Sequence, residues 1–108
     1  MVQSINLDSE TSTIISFALK AGKVVKGFES VQKSIRNHSI ALILLDAHIS
    51  RNTLNKIENS LKKSDIPVIK TTPNIDWKKL WGIEIHKILG ILKGDFGKTL
   101  STHIKAGV

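Results

Sequence analysis

The sequence predicts a three-layer α/β/α sandwich, an α/β fold in which a small four-stranded mixed sheet lies between helices on both faces. Three observations lead there. Apolar residues alternate along the chain between helical spacing and short β-branched runs, so helices and strands alternate almost throughout. The run Ile40-Ala41-Leu42-Ile43-Leu44-Leu45 is apolar for six consecutive residues. It is too short for a free-standing buried helix and reads as a central strand covered on both faces. Finally, 108 residues, 41% of them hydrophobic, suffice for one core and not for two, so residues 1–108 are expected to form a single domain.

Each element has a local reason. From Ser12 to Ala21, Ile14, Ile15, Ala18, Leu19 and Ala21 recur at helical spacing, and Gly22 follows where a left-handed stop belongs. Lys23-Val24-Val25-Lys26 is a minimal strand or an extended turn. Gly27 then opens a second helix that turns Val31 and Ile35 inward and ends at Asn37, with Glu29 in its first turn, favourable to the dipole. After the strand Ile40–Leu45, Ser50 can cap a third helix from Arg51 to about Lys63, with Leu54, Ile57 and Leu61 on one stripe. Pro67-Val68-Ile69-Lys70 is a short strand whose proline points to an edge or a strand start. Asn74 or Asp76 can cap a short helix holding Trp77, Leu80 and Trp81 and stopping at Gly82. Lys87 to Leu92 is the last strand, and Asp95 begins a final helix through Leu100 to Ile104. Repeats, low-complexity tracts and linkers are absent from the sequence.

Catalytic constellations are thin. The chain has no cysteine, which excludes disulfide frameworks, thiolate zinc sites and thiol nucleophiles together. His38, His48, His86 and His103 are scattered, and neither HExxH, GxSxG nor a histidine pair at helical spacing occurs. Lys93-Gly94-Asp95-Phe96-Gly97-Lys98 superficially resembles a phosphate loop, but it lacks the Walker and three-glycine spacings and reads as a strand-to-helix turn with Asp95 as cap. The expectation is a protein that is not an enzyme, without cofactor or metal.

Charge is the unusual entry in the composition. Sixteen Lys and Arg against nine Asp and Glu give +7. An RNA, a membrane surface or plain solubility can each account for such an excess. The start MVQSINLDSE lacks the pattern of a secretory signal, and no apolar run approaches the roughly 20 residues that span a bilayer. A soluble cytoplasmic protein with no membrane partner is therefore expected. The excess is uneven: Lys20, Lys23, Lys26, Lys33 and Arg36 face the single anion Glu29 within the segment Lys20–Arg36, a local +4. The doublets Lys62-Lys63 and Lys78-Lys79 read as solvated helix faces.

Around Gly27, a backbone can come close to helix N-terminal amides. Lys23, Lys26 and Lys33 can reach phosphates, and Glu29, Ser30 and Gln32 can bond base edges. A solvated basic helix with a glycine start accounts for these residues equally well.

The order of these pieces discriminates between the two. AGKVVKG, then a helix carrying Val31, Lys33, Ile35 and Arg36, then IALILLDA, SRNT with its helix, and IPVI resemble the kink-turn-binding ribosomal protein family (L-seven-Ae/L-thirty-e-like), in particular its small bacterial YlxQ-like branch. The similarity continues through LWGIEIHKILGIL and GDFGKTL, spanning about Ile14 to Leu100. The resemblance implies an α/β/α sandwich with a four-stranded sheet and a non-catalytic RNA-binding role in translation. The RNA would be a kink-turn, a sharply bent internal loop with tandem sheared G·A pairs, read by shape, phosphate contacts and splayed bases.

By the same resemblance two neighbouring surfaces carry the contact. One is the glycine-led start of the second helix, Lys26, Gly27, Phe28, Glu29, Ser30 and Lys33, to which the charge reading adds Lys23. The other is the loop Gly82, Ile83, Glu84, Ile85, whose apolar side chains would pack on extruded nucleotides. Glu29-Ser30 departs from the Asn-Glu of strong kink-turn binders: Asn donates and accepts, whereas an ionised Glu only accepts and repels phosphate. Simpler roles remain for Phe28 as an inward helix staple and for Ile83 and Ile85 as core residues. The partners implied are structured RNA, ribosomal or otherwise, and the ribosome, with the protein a monomer. The alternative is a basic protein-interaction module of the same fold that meets an acidic partner in the translation machinery.

Overall fold

A computed structural model describes residues 2–5, 9–61, 64–85 and 87–106, with side chains described from residue 9 to residue 103. In chain order the elements are β1 (Val2–Ile5), α1 (Ser9–Lys20), β2 (Val24–Lys26), α2 (Phe28–Arg36), β3 (Ile40–Leu45), α3 (Arg51–Ser60), β4 (Val68–Thr71), α4 (Trp77–Trp81), β5 (Ile88–Leu92) and α5 (Asp95–Ala106). The four strands read from the sequence are all present, and β1 joins them at an edge, giving the order β1-β4-β3-β5-β2. The β1, β4 and β3 strands are parallel neighbours, while β5 runs antiparallel to both β3 and β2, so the sheet is mixed.

Sequence pattern becomes layering through β3. Leu42 and Leu44 turn to one face, where Ile15, Ile69, Trp77, Leu89, Ile91 and Leu100 complete a core beneath α1, α4 and α5. Ile43 and Leu45 turn to the other, where Val31, Ile35, Ile57, Leu61 and Val68 pack beneath α2 and α3. Ile40 shares the second face with Ile43 because the register against β5 shifts between Ile40 and Leu42, and an extra residue in a strand reverses its alternation. The continuous apolar run is thus the consequence of helices on both sides.

Small residues set how closely the layers approach. A Cβ at Gly90 would stand 2.5 Å from Ile40 Cδ1 and 2.9 Å from Val25 Cγ2. At Gly97, in the first turn of α5, it would stand 2.9 Å from both Ala41 Cβ and the Leu92 carbonyl oxygen. Gly97 therefore packs the helix directly on the sheet.

Chain ends of the elements follow local chemistry. Ser50 Oγ accepts from the Thr53 N–H at 3.1 Å, and Asp76 Oδ1 accepts from the Lys79 N–H at 3.0 Å, capping α3 and α4. Gly22 and Gly82, with φ of 72° and 69°, stop α1 and α4 in the left-handed region. Two details differ from the sequence reading, and a third chooses between its alternatives. Helix α1 begins at Ser9, ahead of Ser12. Asp95 is the first residue of α5 and follows Gly94, whose carbonyl accepts from the Lys98 N–H, so Asp95 is not the cap. Pro67 immediately precedes β4, which lies between β1 and β3, so it marks a strand start and not an edge. Lys62 and Lys63 lie outside the described residues. Among the described residues no helix is long and apolar enough to cross a membrane.

Candidate nucleic-acid interface

The start of α2 is shaped by Gly27. Its φ of 88° and ψ of 161° lie in a region open essentially to glycine alone. No side chain caps the helix. The first amides of a helix have no partner within it, so those of Phe28, Glu29 and Ser30 are available to an outside acceptor. The Gly27 N–H donates to the Ile88 carbonyl at 2.9 Å, fastening this turn to the first residue of β5. The Asp46 N–H donates to the Lys87 carbonyl at 3.1 Å, bringing the end of β3 to the same place. The strand that this loop enters is therefore fastened to the start of α2, and the two segments named from the sequence lie toward the same end of the sheet.

Within this end the residues divide by exposure. Lys26, Glu29, Ser30 and Lys33 are exposed, and Glu29, Lys33 and Arg36 follow one outward stripe of α2. Phe28 is half-buried against the core beneath α2 and α3, and Lys56 Nζ stands 5.8 Å from its ring centroid. The inward staple is thus its structural place. In the loop, Gly82 is exposed, but Ile83 is only 7% exposed and belongs to the core with Trp77. Its side chain is not part of the surface expected for it. Ile85, by contrast, is 70% exposed, and Glu84 Oε1 pairs with Lys78 Nζ at 3.0 Å.

The loop rests on α4. Trp77 is buried, and its indole N–H donates to Thr71 Oγ1 at 3.1 Å, while the Thr71 hydroxyl donates to the Leu45 carbonyl at 3.3 Å. The Gly82 N–H donates to Lys78 O at 2.9 Å and the Ile83 N–H to Trp77 O at 3.3 Å. These bonds hold the root of the loop while Ile85 projects.

Lys23 does not join the others. The Leu92 N–H donates to the Lys23 carbonyl, whereas Gly27 is bonded to Ile88. The length of β5, roughly 13 Å at 3.3 Å per step, separates them. Lys78, which the sequence places on a solvated helix face, is indeed largely exposed but pairs with Glu84, and Lys56 has no signal of a role in the sequence. Lys56 reaches Phe28 across 28 positions of chain, and no local pattern signals that proximity. Among the described residues no group of three His, Asp or Glu could hold a metal. His38 and His48 are exposed, His103 approaches Glu10 at 3.5 Å, and His86 lies outside the described residues.

Comparison with known proteins bears on this arrangement. The chain is 25% identical over 85 residues to the RNA-binding protein YlxQ of Enterococcus faecium, covering 79% of this chain and 82% of that protein. Among solved structures, a protein of unknown function from Bacillus halodurans superposes with a TM-score of 0.78 at 19% identity, over 91% of this chain and 99% of that one. The Giardia lamblia 15.5 kD RNA binding protein gives 0.70 at 11% identity, over 95% and 94%. These two likenesses establish the shared fold. The model of the ribosomal protein L7Ae/L30e/S12e/Gadd45 family matches residues 9–82, from the first helix through the uncapped start of α2 to the glycine that opens the Ile83–Ile85 loop, and the chain belongs to that family.

Proposed function

We propose that this protein binds structured RNA, with a kink-turn as the preferred form, at the end of the sheet where α2 begins and β5 is entered. The observation that carries the reading is the uncapped α2 start, held by Gly27 in a glycine-only conformation against Ile88, three residues beyond exposed Ile85. Open amides and Lys26 suit phosphate, Glu29 and Ser30 can address base edges, and Ile85 offers an apolar surface to an extruded base. Membership of the family and the RNA-binding name of the Enterococcus relative support the reading. Ile83 and Phe28 then contribute by supporting the loop and the helix from below.

The test is a titration of kink-turn RNA, a straight duplex and a single strand at several salt concentrations. Tighter binding of the bent RNA is expected. Equal binding of all three removes the kink-turn, absence of binding at low salt removes RNA, and copurification with a protein that survives nuclease turns the assignment to an acidic protein partner.

A further inference from the structure

We propose that the opposite end of the sheet, where Lys23, Lys93 and Lys98 surround Gly94 and Gly97, is a second RNA contact that grips phosphate backbone without reading sequence. The proposal rests on RNA binding by this protein but not on its preference for a bend.

The far end is assembled from segments distant in the chain. The Leu92 N–H donates to the Lys23 carbonyl at 3.0 Å, and the Lys93 N–H donates to the Ser39 carbonyl at 2.9 Å, so the turns into β2, into β3 and out of β5 come together. Three shallow grooves open here and Lys93 borders each of them. One runs to Lys23, one to His38, and the largest passes along α5 to Lys98. Its floor is Ala41, Gly94 and Gly97, so no large side chain obstructs close approach, and a Cβ at Gly94 would meet nothing within 4 Å.

Lys23, Lys93 and Lys98 are exposed. Ion pairs among the described residues join Lys78 to Glu84 and His103 to Glu10, so none of these three lysines is neutralised at contact distance. Asp65 and Asp95 also border the grooves and lower the local potential without pairing to a lysine. Unpaired lysines around a concave floor of small residues suit a chain of phosphates, which accepts point charges without demanding a fixed geometry. Lys33 and Arg36 on the outer stripe of α2 lie between the two ends, so a nucleic acid held at Gly27 can continue towards Lys93 across positive surface.

The test uses the full chain with Lys23, Lys93 and Lys98 replaced by Ala together, against a straight duplex and against a kink-turn with long or short helical arms. Duplex binding at low salt is expected to be lost. For the long-armed RNA, the log–log salt dependence should become shallower by about two to three units, close to one per phosphate contact. The preference for bent over straight RNA should survive, which separates this result from failure of the first site. A triple variant that holds the duplex with wild-type affinity and slope overturns the proposal. A photo-crosslinking benzoylphenylalanine in place of Ser101, on the rim of the largest groove, should attach to RNA in cells; attachment to protein alone also overturns it.

Discussion

The two ends of the sheet share the same strands yet offer a ligand different things. At the Gly27 end, Glu29, Asp46, Asp76 and Glu84 stand among the cations, Lys78 is already paired, and Ile85 projects an apolar side chain. At the Lys93 end the lysines are unpaired and the floor is small and open. Charge attracts an RNA but carries no sequence information, whereas placed donors, acceptors and apolar surface discriminate. On the proposed reading, discrimination belongs to the end where an apolar side chain projects among mixed charges, and grip to the end whose lysines make no ion pair, although Asp65 and Asp95 border the same grooves. The comparison can be broken most severely from beneath the first end. Trp77→Ala removes the buried indole that supports Ile83 and should cost about 3 to 5 kcal/mol in urea unfolding. At temperatures where the variant remains folded, bent-RNA binding should weaken while straight-duplex binding persists. Equal loss of both would mean that the ends are not independent.

Two glycines sharpen the contrast at smaller cost. Gly27→Ala forces a side chain into φ 88°, ψ 161° and should destabilise by about 1 to 3 kcal/mol. It should also shift the α2 amides and weaken bent-RNA binding. Gly97→Ala places a methyl group against the Leu92 carbonyl and Ala41, with an overpacking cost of about 1 to 3 kcal/mol, and should leave discrimination between bent and straight RNA intact. Thermal unfolding and paired RNA titrations measure both. If Gly97→Ala abolishes the preference and Gly27→Ala spares it, the assignment of the ends is reversed.

What was legible in the sequence was mostly local chemistry. Ser50, Asp76, Gly22 and Gly82 announce helix boundaries because caps and left-handed stops act within a few residues. Strand β3 announces burial on both faces because nothing polar interrupts it. Strand β1 was not legible, since pairing with β4 decides its conformation and that partner is some 66 positions away, as in Val2↔Val68. The candidate site fared similarly. The basic segment does not converge on one point, because the short β2 leads from Lys23, beside Leu92, to Lys26, beside the Gly27 turn that is bonded to Ile88. Ile83 and Ile85 look equivalent in the motif, yet the bonds from α4 draw the first into the core and leave the second in solvent.

A pair of substitutions on one stripe of α2 separates attraction from reading more gently. Lys33→Ala should weaken every RNA and reduce the salt slope by roughly one unit. Glu29→Gln leaves the size of the side chain and replaces an acceptor by a group that also donates, so it should strengthen binding overall and alter the ranking among RNAs. Identical proportional effects of both variants on bent and straight RNA would remove Glu29 from discrimination.

The smallest expected effect concerns Lys78. Its pair with Glu84 spans α4 and the loop, which makes it look like the clasp of the first end, but both side chains are largely exposed, at 71% and 62%. Water and salt screen such a pair, and ordering two long side chains opposes it, so its contribution is about 0 to 1 kcal/mol. The root of the loop does not depend on that ammonium group: the Lys78 carbonyl still accepts from Gly82 in the alanine variant, and Ile83 stays anchored by burial. Lys78→Ala should therefore change thermal stability little and bent-RNA affinity by less than about threefold, the equivalent of some 0.6 kcal/mol. A tenfold loss with unchanged stability would show that Lys78 or the Glu84 it releases touches RNA directly, and would extend the discriminating surface from the α2 start onto α4.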